Sequence, residues 1–328
     1  MTVTVHTGDA QLPSARRARA IELAQSYGVI GALLVVCIIA AVSFPSFATP
    51  SNFSSIAMAA CFLGLIAVGQ SFVLVSGGID LSVGSMIGLG TVISALAAPH
   101  GWVLALVAPV AAGCAMGLIN GLLISKARMA PFIVTLSALL AIKGIALALA
   151  ASSIVIPSPS TFTRIGNGSV LGVSNLIWIL VAAFALAGLV LNRTAFGSRI
   201  FALGGNEDAA KMMGTDTSRV KVAVYMISGS LAGLSGALLA SRLSSGVATL
   251  GTGYELTSIA AAVIGGVLLT GGVGTMLGAL CGVLLIGVIQ NIINQVGTLN
   301  AYYQDLATGL FLVLAVVLQG ILSNRRAS

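Results

Sequence analysis

Residues 53–98 read FSSIAMAACFLGLIAVGQSFVLVSGGIDLSVGSMIGLGTVISALAA. Two apolar runs, 53–75 and 82–98, flank the short break Ser76-Gly77-Gly78-Ile79-Asp80-Leu81. Each run is close to the roughly 17–25 residues that cross a hydrocarbon core about 30 Å thick. Such runs recur along almost the whole chain, which is 58% hydrophobic and only 7% charged; an average soluble domain carries about 25% charged residues. Only helices and closed barrels satisfy their backbone groups in lipid. The runs are continuous rather than alternating in polarity, so they predict helices.

The expected fold is therefore an all-α membrane protein of about ten transmembrane helices, with Gly-rich broken or re-entrant segments. The spans are placed at 29–43, 53–75, 82–98, 102–124, 132–151, 176–191, 222–242, 255–270, 275–294 and 305–321. Gly-rich breaks leave full and re-entrant crossings open within 53–98 and 254–294. One domain of 29–321 follows, with a cytoplasmic tail at 1–28, a cytoplasmic loop at 192–221 and a second cytoplasmic tail at 322–328. About 28 mostly polar residues precede the first span, longer than a compact cleavable signal. Arg16, Arg17, Arg19, Lys126, Arg128, Arg193, Arg199, Lys211, Arg219, Lys221, Arg325 and Arg326 then fall on one side, with only Arg164 and Arg242 on the other. The positive-inside rule makes the populated side, and both termini, cytoplasmic. The net charge of +7 is thereby explained without nucleic acid.

The 40 glycines suit close helix packing. Gly84/Gly88, Gly113/Gly117/Gly121, Gly229/Gly233 and Gly274/Gly278/Gly282 repeat at four-residue intervals. Val83-Gly84-Ser85-Met86-Ile87-Gly88 resembles Val273-Gly274-Thr275-Met276-Leu277-Gly278, and each follows a Gly-Gly pair. An internal repeat and a composition effect both account for this.

Catalytic motifs are missing. There is no GxxxxGK[ST] phosphate loop, HExxH or GxSxG. Cys37, Cys61, Cys114 and Cys281 sit singly in apolar runs, so no metal site is expected. The few ionisable residues within spans disfavour an ion-gradient carrier of a small neutral solute, which is the alternative reading.

The most charged stretch reads Gly197-Ser-Arg-Ile-Phe-Ala-Leu-Gly-Gly-Asn206-Glu207-Asp208-Ala209-Ala210-Lys-Met-Met-Gly214-Thr-Asp216. Asn206 as N-cap, acids in the first turn and Gly214 as C-cap predict a short helix. Such a helix could fill a groove on a cytoplasmic partner, or simply be solvated.

Four segments resemble the permease subunit of ribose-type sugar ABC importers: Gly77-Gly-Ile-Asp80-Leu-Ser82-Val-Gly84, Ala202 to Ala210, Gly251-Thr-Gly253-Tyr254-Glu255-Leu256, and the pairs Gly265-Gly266 and Gly271-Gly272. The resemblance runs from about residue 30 to 320. It implies a non-catalytic inner-membrane subunit that pairs with a second permease copy, identical or similar. A cytoplasmic ATPase that holds the ATP-Mg would dock on Glu207 to Gly214, and a periplasmic binding protein would deliver a monosaccharide of the ribose, xylose or galactose kind. No cofactor is expected on this chain itself.

Individual residues keep two readings each. Asp80 and Ser82 line the path or a gate, or else Asp80 caps the helix starting near Ser82. Lys143, midway along its span, meets a sugar hydroxyl, pairs with an acid, or snorkels to an interface. Arg164 and Arg242 dock the binding protein, or Arg242 pairs locally with Glu255. Asn120, Gln290, Asn291 and Asn294 could serve sugar hydroxyls or bond between helices.

Overall fold

The computed structural model describes residues 15–150, 152–156 and 160–296, with side chains from residue 28 onward, and within 302–317 residues 302–304, 306–310, 313–314 and 317. The helices are α1 (Ala15–Ser43), α2 (Pro50–Val75), α3 (Val83–Ala97), α4 (Trp102–Ser125), α5 (Pro131–Leu149), α6 (Thr161–Asn167), α7 (Asn175–Arg193), α8 (Ala195–Gly205), α9 (Glu207–Met212), α10 (Thr217–Leu243), α11 (Tyr254–Ile264) and α12 (Met276–Val296). Two-residue strands pair as β1 (Ile154–Val155) with β4 (Ser245–Gly246), and β2 (Ser169–Val170) with β3 (Val173–Ser174).

Among the described residues, seven helices are long and apolar enough to cross a membrane: α2, α3 with its 3₁₀ extension to His100, α4, α5, α7, α10 and α12. Each matches an expected span. α1 begins at Ala15, so its helix extends well before the expected start at residue 29. Residues 1–14 and 322–328, and most of the expected span 305–321, lie outside the described residues.

Burial sorts the helices. α2 is apolar all round, and every residue from Ala60 to Val75 is buried, which makes it the central helix. α5 and α7 bury one stripe each: Val134, Ala138, Ile142 and Ala146; Leu176, Leu180, Phe184, Ala187 and Leu191. Their outer faces expose Leu140, Ile145, Leu186 and Leu189, as a lipid-facing surface requires.

α4 and α10 meet along a glycine seam. A Cβ on Gly113 would strike the backbone of Gly229, one on Gly117 the backbone of Tyr225, and one on Gly233 the backbone of Pro109. The glycine spacings on the two helices thus face each other and let the backbones touch.

The helices share two ends. Lys126, Arg193 and Arg219 lie where α4 and α7 finish and α10 begins, with α8 and α9 alongside; we call this the basic end. His100, Arg164 and Arg242 lie at the opposite end, where α6 and the strand pairs form a cap.

One expected span is corrected. Residues 255–270 do not form a continuous helix: α11 stops at Ile264 after 11 residues, too short to span at about 1.5 Å per residue. Gly266, Gly271 and Gly272 all have positive φ, so the apolar stretch turns back instead. The chain reaches α11 through a non-helical segment, 247–253. It runs down α3, with Ala248 against Gly88 and Gly251 against Gly84 and Ile87. Thr91 pins it: its Oγ1 donates to the Val247 carbonyl at 2.9 Å and accepts from the Val247 N–H at 3.0 Å. Unwound backbone at this depth is tolerated where protein buries it or a cavity borders it. The two similar hexapeptides lie at the start of α3 (Val83–Gly88) and across the start of α12 (Val273–Gly278).

Candidate functional site

The break after α2 is tied down on all sides. Asp80 is fully buried. Its Oδ1 accepts from the Ser82 N–H at 3.0 Å and the Ser82 hydroxyl at 2.6 Å, and its Oδ2 accepts from the Ser228 hydroxyl at 2.8 Å. Asn120 Nδ2 donates to Ser82 Oγ at 3.1 Å, and Tyr225 Oη to the Ile79 carbonyl at 3.2 Å. Asp80 is not the N-cap itself. That position is Ser82, which makes no side-chain cap bond; Asp80 instead closes an Asx-type turn onto the backbone two residues on. Ser228 lies near the middle of α10, so the turn sits deep in the bundle.

The start of α11 lies nearby. The Glu255 carboxylate fills the space beside Gly84 and accepts from the Gly253 N–H at 3.1 Å. Helix α3 and the short helix α11 thus begin close together, each with a carboxylate at its positive end. Among the described residues no Lys, Arg or His forms a salt bridge with either acid; the salt bridges there all lie within residues 207–221.

A small cavity of about 180 Å³ adjoins the unwound segment, with Thr252, Tyr254, Thr257, Gln290 and Gln304 among its polar lining. The other amides bond within the protein. Asn291 and Asn52 exchange side-chain bonds of 2.8 and 3.2 Å, and Asn294 Oδ1 accepts from Gln304 at 2.7 Å. Gln70, wholly buried on α2, has neither amide atom hydrogen-bonded.

At the basic end, α9 forms as its sequence predicts. Asn206 Oδ1 accepts from the Ala209 N–H at 2.9 Å, and Gly214 follows with φ of 81°. Glu207 fastens α9 to α10: it bonds Lys221 at 2.7 Å and Lys211 at 3.0 Å. Partial burial pushes the Glu207 carboxyl upward, but the hydrogen bonds and charges of Lys221 and Lys211 outweigh this and hold it below the usual carboxylate range. Ala210 is buried against the body, while Asp208, Met212 and Met213 face outward.

The preceding α8 touches both helix breaks. The Gly272 N–H donates to the Val75 carbonyl at 2.9 Å, and Gly204 is wedged between Val75 and Gly272 with no room for a Cβ. Gly271 in turn lies against Gly77. The outer loop and the two breaks therefore share one backbone-to-backbone joint.

Two expected groupings do not form. Arg242 Nη1 donates to Asn167 at 2.8 Å, not to Glu255, which lies deep beside Gly84 because α11 starts far from the end of α10. Glu255 therefore does not lie beside Arg242, which packs on α6 at Gly166 and Asn167. Lys143 is half-buried on α5 and forms no salt bridge among the described residues.

The model of the family described as branched-chain amino acid transport system / permease component matches residues 52–316. The chain belongs to this permease family. It is 36% identical over 316 residues to the L-arabinose ABC transporter permease protein AraH of Azospirillum brasilense, covering 96% of this chain and 93% of that protein. It is 39% identical over 298 residues to the ribose import permease protein RbsC of Bacillus subtilis, covering 90% and 92%. An Escherichia coli relative, inner membrane ABC transporter permease protein YjfF, is 36% identical over 312 residues, covering 91% and 94%. No solved structure matches. The permease is thus a multi-pass inner-membrane, non-catalytic subunit of an ABC importer, a system that also comprises an ATPase and a substrate-binding protein.

The short helix α9 forms where its caps predict it, and Asp80 and Ser82 bond to each other; Ser228, Gln70 and the unwound segment 247–253 are not among the residues the sequence points to. Ser228 carries no signal in a Ser- and Gly-rich helix. The Gly251–Gly253 pair was visible as a motif, but nothing local shows that it runs inside the bundle.

Proposed function

We propose that this permease carries a neutral monosaccharide of the pentose class inward, driven by a separate ATPase and fed by a periplasmic binding protein. The observation that carries this reading is the pair of acids at the starts of α3 and α11. Helix N-termini inside transporters hold anionic substrate groups. Here the Asp80 and Glu255 carboxylates already occupy them, bonded to the Ser82 and Gly253 N–H groups. An amino acid is poorly served by such a site; an uncharged polyol is not. The arabinose and ribose names of the relatives point the same way.

In this reading the chain crosses ten times: the seven long helices, the apolar part of α1, the crossing made by 245–264, and the span that hydropathy places at 305–321. The basic end faces the cytoplasm, as the positive-inside rule requires. The ATPase seats on Asn206, Glu207, Asp208, Ala209, Ala210 and Gly214, where exposed Met212 and Met213 offer pliable apolar surface. Asp80 and Ser82 hold the gate, Arg164 and Arg242 meet the binding protein, and two identical permeases form the pore, with Lys143 facing it.

Proteoliposomes containing the permease, its ATPase and its binding protein test this. Labelled arabinose or ribose should accumulate only with ATP inside the ATPase-accessible compartment. Uptake of leucine but neither pentose, or pentose uptake driven by an ion gradient without ATP, overturns it.

A further inference from the structure

An apolar groove opens between α4, α7 and α10. It holds about 660 Å³ and is lined by Phe72, Cys114, Leu186, Val190, Phe196 and Ile227 among others. Its only hydroxyl-bearing lining residue is Ser230. A second cavity of about 550 Å³ lies at the basic end, lined by Leu122, Lys126, Asp216, Ser218, Arg219 and Val222. Ala223 and Met226 line both. The two therefore adjoin along α10 and together make a trough, apolar along the helices and polar at its mouth.

The mouth carries two cations against one carboxylate. Arg219 Nε meets Asp216 at 2.9 Å. Lys126 is exposed and forms no salt bridge among the described residues. The mouth thus keeps a net positive charge where α4 ends and α10 begins. Leu186 in the groove wall is exposed, as are Leu189 and Leu118 further along the same helices, α7 and α4, an apolar outer face of the kind that meets lipid.

We propose that this trough binds one anionic glycerophospholipid. An acyl chain lies along the groove and meets no polar group it would strip of water. The phosphate sits against Lys126 and Arg219, with the Ser218 hydroxyl as a further donor. Basic pockets between helices on the cytoplasmic side select anionic headgroups in this manner. A sugar finds almost no hydrogen-bonding partner in the groove, which separates this site from any transport path. The site lies between α4 and α10 at the root of the α9 loop, so a bound lipid would brace the helix pair that carries it.

Native mass spectrometry of the full-length chain in mild detergent tests this. The chain is titrated with phosphatidylglycerol and, separately, with phosphatidylcholine of the same acyl chains. One phosphatidylglycerol should remain bound per chain under activation that removes phosphatidylcholine. Lys126→Ala with Arg219→Ala should weaken phosphatidylglycerol binding by roughly five-fold for each charge removed, leaving phosphatidylcholine unchanged. Lys126→Arg should retain binding. Ala223→Phe, which fills the junction of the two cavities, should abolish it in protein that stays monodisperse. Equal binding of both lipids overturns the proposal, as does unaltered phosphatidylglycerol binding by the double variant. Expulsion of the lipid by the ATPase subunit would assign the mouth to that partner and also overturn it.

Discussion

The Ser228 hydroxyl, near the middle of α10, donates a 2.8 Å hydrogen bond to the buried carboxyl of Asp80, 148 residues earlier in the chain. This bond fastens the break between α2 and α3 to the longest contact seam in the bundle. Ser228→Ala removes one interhelical bond and should lower stability by roughly 0.5–1.5 kcal/mol. Asp80→Ala should cost more, about 1–3 kcal/mol for each donor left without an acceptor. Thermal unfolding in mild detergent reads both; equal losses would show that the Ser82 bonds contribute nothing.

Gly113 on α4 lies against Gly229 on α10 with no space for a side chain. Gly113→Val should force the two helices apart at a cost of about 1–3 kcal/mol. The same unfolding assay checks it. Gly144→Val on the open face of α5, where a Cβ would meet no atom within 4 Å, is the control and should be nearly neutral.

Gln70 leaves both amide atoms unbonded inside α2. A buried polar group without a partner costs about 1–3 kcal/mol, so Gln70→Leu should stabilise the protein by an amount in that range. If the variant is also slower in ATP-driven uptake, Gln70 finds its partner in another state of the transport cycle. A destabilised Gln70→Leu would show that the amide is bonded after all.

Glu207 titrates below its ordinary value of 4.5, so its stabilisation of α9 is complete above that value. It is lost as pH falls through the lower folded value. Amide exchange in α9, corrected for intrinsic rates, should show constant protection from about pH 8 to pH 5 and a loss only below about pH 4.5. Glu207→Gln should remove the acid limb and weaken protection at neutral pH.

Arg242→Glu removes the Arg242–Asn167 hydrogen bond, 2.8 Å long, and reverses the charge at that position. If Arg164 and Arg242 receive the binding protein, the reversal should raise its dissociation constant about ten-fold or more while leaving the unfolding temperature nearly unchanged. Unaltered affinity removes them from the docking surface.

Much was legible in the chain itself. Hydropathy placed seven spans because lipid imposes a length and a polarity on any crossing helix. The motif around Asp80 and the α9 helix with Asn206 and Gly214 at its ends were readable because each is set by a few neighbouring residues. Gly-rich stretches were harder. Residues 255–270 count as a span by apolarity, yet Gly265-Gly266 and Gly271-Gly272 end α11 early, and hydropathy does not distinguish a helix from a turn of equal apolarity.

What only the tertiary structure decided is which of these pieces meet. The chain dictates that Gly113, Gly117, Gly229 and Gly233 leave room for close approach; the packing decides that they face one another. It places Gly204 of the outer loop against the breaks at Gly77 and Gly272, and Glu255 beside Gly84 instead of Arg242. Apolarity and caps are properties of a residue and its near neighbours. Contacts across 148 residues depend on how every intervening helix packs, and no local pattern in the chain encodes that.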